Sequence, residues 1–205
     1  MAISMATGKL IALEGIDGSG TTTHAARLAR IRWGGHETHL TAEPSDRAIG
    51  RLIRSVLEGD TVMNDAALAL LFAADRLDHV EQEIEPALNR GAVVITDRYL
   101  LSSLAYQAIG CPLAWVAELN REARRPDISI LLRVSAETAA SRRQARGGGE
   151  ERFDATESQR RIAEAYEAAV RLPDVGRTEV IDAERDVDTV AFDLRTLVTD
   201  LMAVP

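Results

Sequence analysis

Leu10-Ile-Ala-Leu-Glu-Gly-Ile-Asp-Gly-Ser-Gly-Thr-Thr22 carries the strongest structural signal in this 205-residue chain. Leu10 to Leu13 form an unbroken apolar run, the pattern of a strand buried on both faces. Gly15-Ile-Asp-Gly-Ser-Gly20 then reads as a glycine-rich turn, and from residue 21 to residue 33 apolar side chains return on one face, as along a helix. Strand, turn and helix in that order set backbone amides at a helix N-terminus, where an anion is favoured. The pattern G-x-x-x-x-G-K-[ST] uses such a cradle, with its lysine reaching the phosphates and its hydroxyl facing Mg2+. Here Gly15, Ile16, Asp17, Gly18, Ser19 and Gly20 keep the cradle and Thr22 keeps the hydroxyl, but Thr21 stands where the lysine belongs.

Four more strand candidates flank this unit, at 37–41, 92–96, 128–134 and 178–181. Between them lie helical patterns at 65–88, 101–108, 112–124, 136–146, 156–172 and 187–203, with Pro86 disturbing the end of the first. Strands alternating with crossover-length helices predict a three-layer α/β domain on a parallel sheet. A chain of this length holds one core, and its 46% hydrophobic and 27% charged residues exclude extended disorder. The 24 basic residues against 32 acidic ones leave a net charge of -8, which argues against a general nucleic-acid surface but not against local phosphate sites. Lys9 is the sole lysine; the other 23 basic residues are arginine. Cys111 is alone, which excludes an intrachain disulfide and a multi-cysteine metal site. The apolar stretch 66–74 is too short to cross a bilayer and the N-terminus lacks a secretory pattern, so a cytoplasmic location without membrane partners is expected.

Asp97-Arg98-Tyr99 follows the 92–96 run, near the C-terminal end of a strand, where open α/β sheets bind ligands. There Asp97 is a candidate for Mg2+ and Arg98 for phosphate oxygens. Phe72, Arg76 and His79 recur at i, i+4 and i+7, while Ser102/Tyr106 and Ser103/Gln107 are i, i+4 pairs that turn polar groups the same way. Arg142 and Arg146 share a helix face, with Arg143 beside them and Arg152 beyond Gly147-Gly-Gly149. Each of these sets also has an ordinary reading: a structural ion pair, a packed aromatic residue, a soluble arginine-rich loop. The specificity lies in their combination with the glycine-rich turn, which favours a phosphate-binding cleft with a lid at about 142–155.

Taken in order, Glu14-Gly-Ile-Asp-Gly-Ser-Gly-Thr-Thr22, Glu43-Pro44, Leu71-Phe-Ala-Ala-Asp-Arg76, Asp97-Arg-Tyr-Leu-Leu-Ser-Ser-Leu-Ala-Tyr-Gln107, Pro126-Asp127 and the arginine-bearing segment resemble the thymidylate kinase family across most of the chain. The resemblance implies a P-loop nucleoside monophosphate kinase-like fold with a five-stranded parallel sheet, one domain over 1–205, and a homodimer. It implies direct phosphoryl transfer from ATP to dTMP with Mg2+, giving dTDP and ADP, with no nucleic-acid polymer as partner. Carried over by residue, it implies that Phe72 stacks on thymine, that Arg76, Ser103 and Gln107 surround the base, and that Tyr106 meets the deoxyribose. Asp17 would lie near the sugar or the transferring phosphate, Arg98 at the acceptor phosphate, and Arg142, Arg146 and Arg152 around the ATP phosphates. The implied catalytic set is Asp17, Arg98, Arg142 and Arg146, and the implied Mg2+ set is Thr22, Asp97 and Glu43, the last also an organiser of phosphate. Two departures stand out: Ala42, where the family commonly has arginine in Thr-Arg-Glu-Pro, and Thr21. They leave two alternatives, a thymidine-nucleotide-binding regulator impaired in catalysis and a kinase for another deoxynucleoside monophosphate.

Overall fold

The strands Lys9–Glu14 (β1), Thr38–Ala42 (β2), Val93–Asp97 (β3), Ile128–Arg133 (β4) and Thr178–Asp182 (β5) form one all-parallel sheet in the order β2-β3-β1-β4-β5. The computed structural model describes residues 8–146 and 156–203; the 147–155 part of the expected lid, Arg152 within it and the side chain of Arg146 lie outside them. β1 is central, with Ile11 registered against both Ile95 and Ile128, and Leu10 to Leu13 are fully enclosed. Parallel neighbours need crossovers, so helices flank the sheet. They are Thr21–Leu28 (α1), Ala48–Leu57 (α2), Asp65–His79 (α3), Glu85–Asn89 (α4), Leu100–Tyr106 (α5), Leu113–Leu119 (α6), Ala136–Arg146 (α7), Thr156–Ala169 (α8) and Val187–Ala203 (α9).

All five expected strands form, each within a residue or so of its expected bounds. Four helices depart from expectation, one of them the helix expected over 112–124, which ends at Leu119. The helix expected to run to residue 33 ends at Leu28, because Trp33 bridges to His36 across Gly34-Gly35, a tight turn of two left-handed glycines. The continuous 65–88 helix is divided by a π-helical turn at Val80–Ile84, with Pro86 seated in the first turn of α4, where its missing N–H costs nothing. α2 was not anticipated: its Ile53 and Val56 close on Leu68 of α3 as a small second core beside the main one.

One buried carboxylate ties β1 to α5. Glu14 accepts hydrogen bonds from the Leu101 and Ser102 amides, both at 3.0 Å, and from the Ser102 hydroxyl at 2.5 Å. It thereby caps the free amides at the start of α5 with a fully enclosed side chain. Burial pushes its pKa up to about 7, against the lowering pull of the Ser102 hydroxyl and of Arg98. An acid raised in the fold stays protonated where the unfolded chain has already ionised, so its contribution is complete below the unfolded value of about 4.5 and is lost as pH rises through about 7. Urea midpoints measured from pH 4.5 to pH 8 should therefore fall across that window in the wild type, and Glu14→Gln should flatten this part of the slope. An unchanged slope in the variant would assign the pH dependence elsewhere.

Candidate functional site

The turn between β1 and α1 is held open as a cradle by glycines. Gly18 has φ +95°, and a Cβ there would lie 2.4 Å from the Ala139 carbonyl oxygen, so only glycine lets α7 back directly onto the loop. Gly20, at φ +101°, caps α1 and leaves its first amides unblocked by any capping side chain. Asp17 is bonded through all of its polar atoms. Its amide donates to Gln159 Oε1 at 3.2 Å, and its carbonyl accepts from Arg143 at 2.5 Å. Its carboxylate accepts from Arg98 at 2.5 Å and from Gln159 Nε2 at 3.2 Å. Ile16 is packed in the core below, Thr21 is buried, and Thr22 is exposed with its hydroxyl donating to Asp97 at 2.5 Å.

A cavity of about 260 Å³ opens on one side of this loop. The sequence-derived residues Asp17, Glu43, Phe72, Arg76, Asp97, Arg98, Ser102, Ser103, Tyr106 and Gln107 all line it, joined by Arg54 and Leu57. Arg98 holds a left-handed backbone, φ 69°, uncommon for a residue with a side chain and frequent at working sites. Its amide is fixed by the Leu13 carbonyl at 2.8 Å, and its guanidinium donates to the Gly15 carbonyl at 2.8 Å and stands 5.1 Å over the Tyr106 ring. Arg76 is almost fully enclosed. It donates to Glu43 at 2.6 Å, to Ser103 at 2.9 Å, to the Tyr99 carbonyl at 3.0 Å and to Asn120. The other Glu43 oxygen faces His79 Nδ1 at 3.3 Å, so both of its oxygens have enclosed partners. Gln107 Oε1 and Asp97 Oδ1 are enclosed with no hydrogen-bond partner among the described residues.

A second cavity, about 500 Å³, lies on the other side of the loop, lined by Gly18, Ser19, Gly20, Thr23, His24, Arg142, Ala145 and the segment from Ala183 to Val187. Arg142 spans it, donating to the Ala183 carbonyl at 2.9 Å. Burial, with Arg27 and Arg142 nearby, pushes the His24 pKa down to about 4, so its ring is neutral at pH 7. Lys9 begins β1 and pairs with Asp127 at 3.2 Å, at the end of the strand away from the loop. The sequence reading missed Glu14, His24, Arg54, Leu57 and Gln159. Arg54 and Leu57 belong to the unanticipated α2, and Gln159 reaches the loop from 142 residues away. Only the amphipathic pattern of 48–57 was available as a signal for any of them.

Two cavities that meet across one phosphate-type loop form the geometry of a two-substrate transfer enzyme. A family model described as thymidylate kinase matches residues 13–193. The probable thymidylate kinase of Pyrococcus abyssi is 42% identical over 200 residues, covering 93% of this chain and 96% of its own. The thymidylate kinase of Thermomicrobium roseum is 39% identical over 200 residues, covering 94% and 95%. The solved structure of thymidylate kinase from Candida albicans superposes with a TM-score of 0.81 at 24% identity, covering 95% of this chain and 92% of that one, a likeness of fold.

Removing one member of a buried ion pair strands the other charge, at a cost of about 3–5 kcal/mol. Glu43→Ala should therefore lower the unfolding free energy by about that much, whereas Glu118→Ala, which breaks the exposed pair with Arg121, should cost under about 1 kcal/mol. Equal losses in urea titrations would remove the enclosed pair from its structural role.

Proposed function

The chain belongs to the thymidylate kinase family, and from that premise we propose how its two cavities divide the work. The activity is ATP-dependent phosphorylation of dTMP to dTDP. The second cavity takes the donor nucleotide, its phosphates on the amides of Gly18 to Thr22, and the first takes dTMP. The observation that carries this reading is the single loop wall shared by the two cavities, with Asp17 facing one and Gly18 the other.

In the first cavity Phe72 offers a ring face to the base, while Arg76, held rigid by Glu43 and Ser103, offers directional donors beside Gln107. Tyr106 stands where the sugar enters. Arg98 meets the acceptor phosphate, its direction set by Asp17 and the Gly15 carbonyl. Asp17 acts as a positioning residue, since the acceptor's phosphate oxygen is already anionic and needs no base to remove a proton. That oxygen attacks the γ-phosphorus in line as the bond to the β-phosphate oxygen breaks. Arg142, with Arg146 and Arg152 of the lid at 142–155, neutralises the donor's charge and excludes water.

The residues fit Mg2+. The ion takes one or two protein oxygens and completes its shell with water and phosphate. Thr22 and Asp97 would hold it, for Asp97 has an enclosed oxygen without a partner beside its bond to Thr22. When bound, Mg2+ neutralises phosphate charge during transfer. Glu43 we assign to Arg76 and His79 instead.

A homodimer is supported by α3, whose outer face carries Ala66, Leu70, Ala74 and Leu77 at i, i+4, i+8 and i+11, with Leu70 50% and Leu77 44% exposed. Among the described residues no helix is long and apolar enough to cross a membrane. We read the whole chain as one domain working in the cytoplasm.

Purified protein with ATP and Mg2+ should convert dTMP to dTDP in preference to dUMP and other nucleoside monophosphates. Binding of dTMP without turnover would favour the regulator, and preference for another monophosphate the alternative kinase. Arg98→Ala should lower kcat/KM for dTMP by about 10²–10³-fold, the loss typical of one preorganised charge at a transferring group; unchanged kinetics would overturn its assignment.

A further inference from the structure

Arg98 must hold one direction if it is to meet the acceptor phosphate, and a guanidinium on a flexible stem does so only where its partners fix it. The Asp17 carboxylate takes Nη2 at 2.5 Å. Nη1 faces three oxygens: the Gly15 carbonyl at 2.8 Å, the Ser102 hydroxyl at 3.4 Å and the Tyr166 hydroxyl at 3.5 Å. The last two are long contacts, but the three oxygens are themselves joined. The Tyr166 hydroxyl donates to the Gly15 carbonyl at 3.1 Å and lies 2.7 Å from the Ser102 oxygen, whose own hydrogen goes to Glu14 at 2.5 Å. One phenol therefore ties together the start of the glycine loop, the first turn of α5 and one end of the Arg98 guanidinium.

Tyr166 stands on α8, 1% exposed and not among the residues that line the first cavity. Its ring meets the Tyr106 ring edge-on, the centroids 6.2 Å apart and the planes at 88°, and the Arg98 guanidinium lies 5.1 Å from the Tyr106 centroid. Ring and hydroxyl thus both lead to Arg98, one through Tyr106 and the other through Gly15 and Ser102. Packing alone would be served by phenylalanine, and an enclosed phenol without partners would be costly; here the hydroxyl is directed wholly to groups around Arg98. We propose that Tyr166 is a second positioning residue for the acceptor phosphate, its hydroxyl fixing the Gly15 carbonyl and the Ser102 oxygen against which Nη1 of Arg98 rests. Asp17 sets one end of the guanidinium and Tyr166 sets the other, so the fork keeps a single plane toward the phosphate. The hydroxyl has no bond to Arg76, Ser103 or Gln107 among the described residues, so its loss leaves the base pocket as it is.

This inference rests on the proposed place of Arg98 at the acceptor phosphate, and the two are tested separately. Turnover of dTMP by the wild type and its loss in Arg98→Ala test the function; a comparison of dTMP with thymidine, which lacks the phosphate, tests Tyr166. Tyr166→Phe keeps the ring and its contact with Tyr106 and removes only the hydroxyl. Calorimetric titration should show dTMP bound about five- to tenfold more weakly than by the wild type, and thymidine bound within about twofold. The kcat/KM for dTMP should fall by a similar factor, with KM for ATP within about twofold. In the Arg98→Ala background the same change should alter kcat/KM by less than about twofold, because the group it orients is gone. Equal weakening of dTMP and thymidine would reduce the hydroxyl to a support of the fold and overturn the proposal. So would a dTMP affinity within about twofold of wild type, or an undiminished further loss in the Arg98→Ala background.

Discussion

Asp17 is the residue on which the two halves of the site depend. Left-handed glycines on either side give its segment of loop the freedom to curl around an anion, and that freedom must be removed before the cradle can bind with useful strength. The removal comes from outside the loop. Arg98, just beyond β3, and Gln159, on α8, hold its carboxylate; Gln159 also holds its amide, and Arg143, on α7, its carbonyl. Three elements far apart in sequence thus converge on one residue. Two of them, α7 and α8, are the helices that come before and after residues 147–155 in the sequence.

Arginine suits this arrangement better than lysine. Arg76, Arg98, Arg142 and Arg143 each donate to a backbone carbonyl: that of Tyr99, Gly15, Ala183 and Asp17, respectively. A planar fork with five donors can satisfy a carbonyl and still present charge to a ligand, whereas an ammonium with three donors on a flexible stem is less defined in direction. The chain carries 23 arginines and one lysine at a net charge of -8. The arginines of the site account for why so acidic a chain still has a well-formed cationic cleft: each is held by local partners, and few are left to the open surface of the cleft.

Much of this was readable before any coordinates, and what was not has identifiable causes. β1 and β3 were legible because parallel strands buried on both faces appear as unbroken apolar runs, as Leu10 to Leu13 and Val93 to Ile95 do. The first cavity was legible because its residues sit at helical spacing on α3 and α5, so Phe72 with Arg76, and Ser103 with Gln107, declare a shared face. The partners of Glu43 were not legible, since a carboxylate near a phosphate loop carries no mark in sequence of whether it meets a metal or an arginine; in the fold it lies between Arg76 and His79. Gln159 was beyond reach for another reason, and so was the bond from Arg143, a residue the sequence had placed only in the arginine cluster, to the Asp17 carbonyl. Their contacts span 142 and 126 residues, and nothing local distinguishes a glutamine or arginine that crosses the fold from one in solvent.

α3 joins the remaining features. Phe72, Arg76 and His79 face inward at i, i+4 and i+7, while Ala66, Leu70, Ala74 and Leu77 form the opposite row. A helix apolar on its outer face as well as engaged on its inner one is suited to burial on both sides. In the proposed dimer the second copy would cover the outer row, and the helix that lines the first cavity would be clamped between the core and the partner. The inner side is already rigid: Arg76 is locked by Glu43, Ser103 and the Tyr99 carbonyl, and His79 ties Glu43 to Thr41 of β2 by a 2.7 Å bond. Such rigidity matters for discrimination. A pocket separates thymine from close relatives by leaving polar groups unpaired when the wrong base enters, and that penalty is felt only where the groups cannot swing away to find other partners.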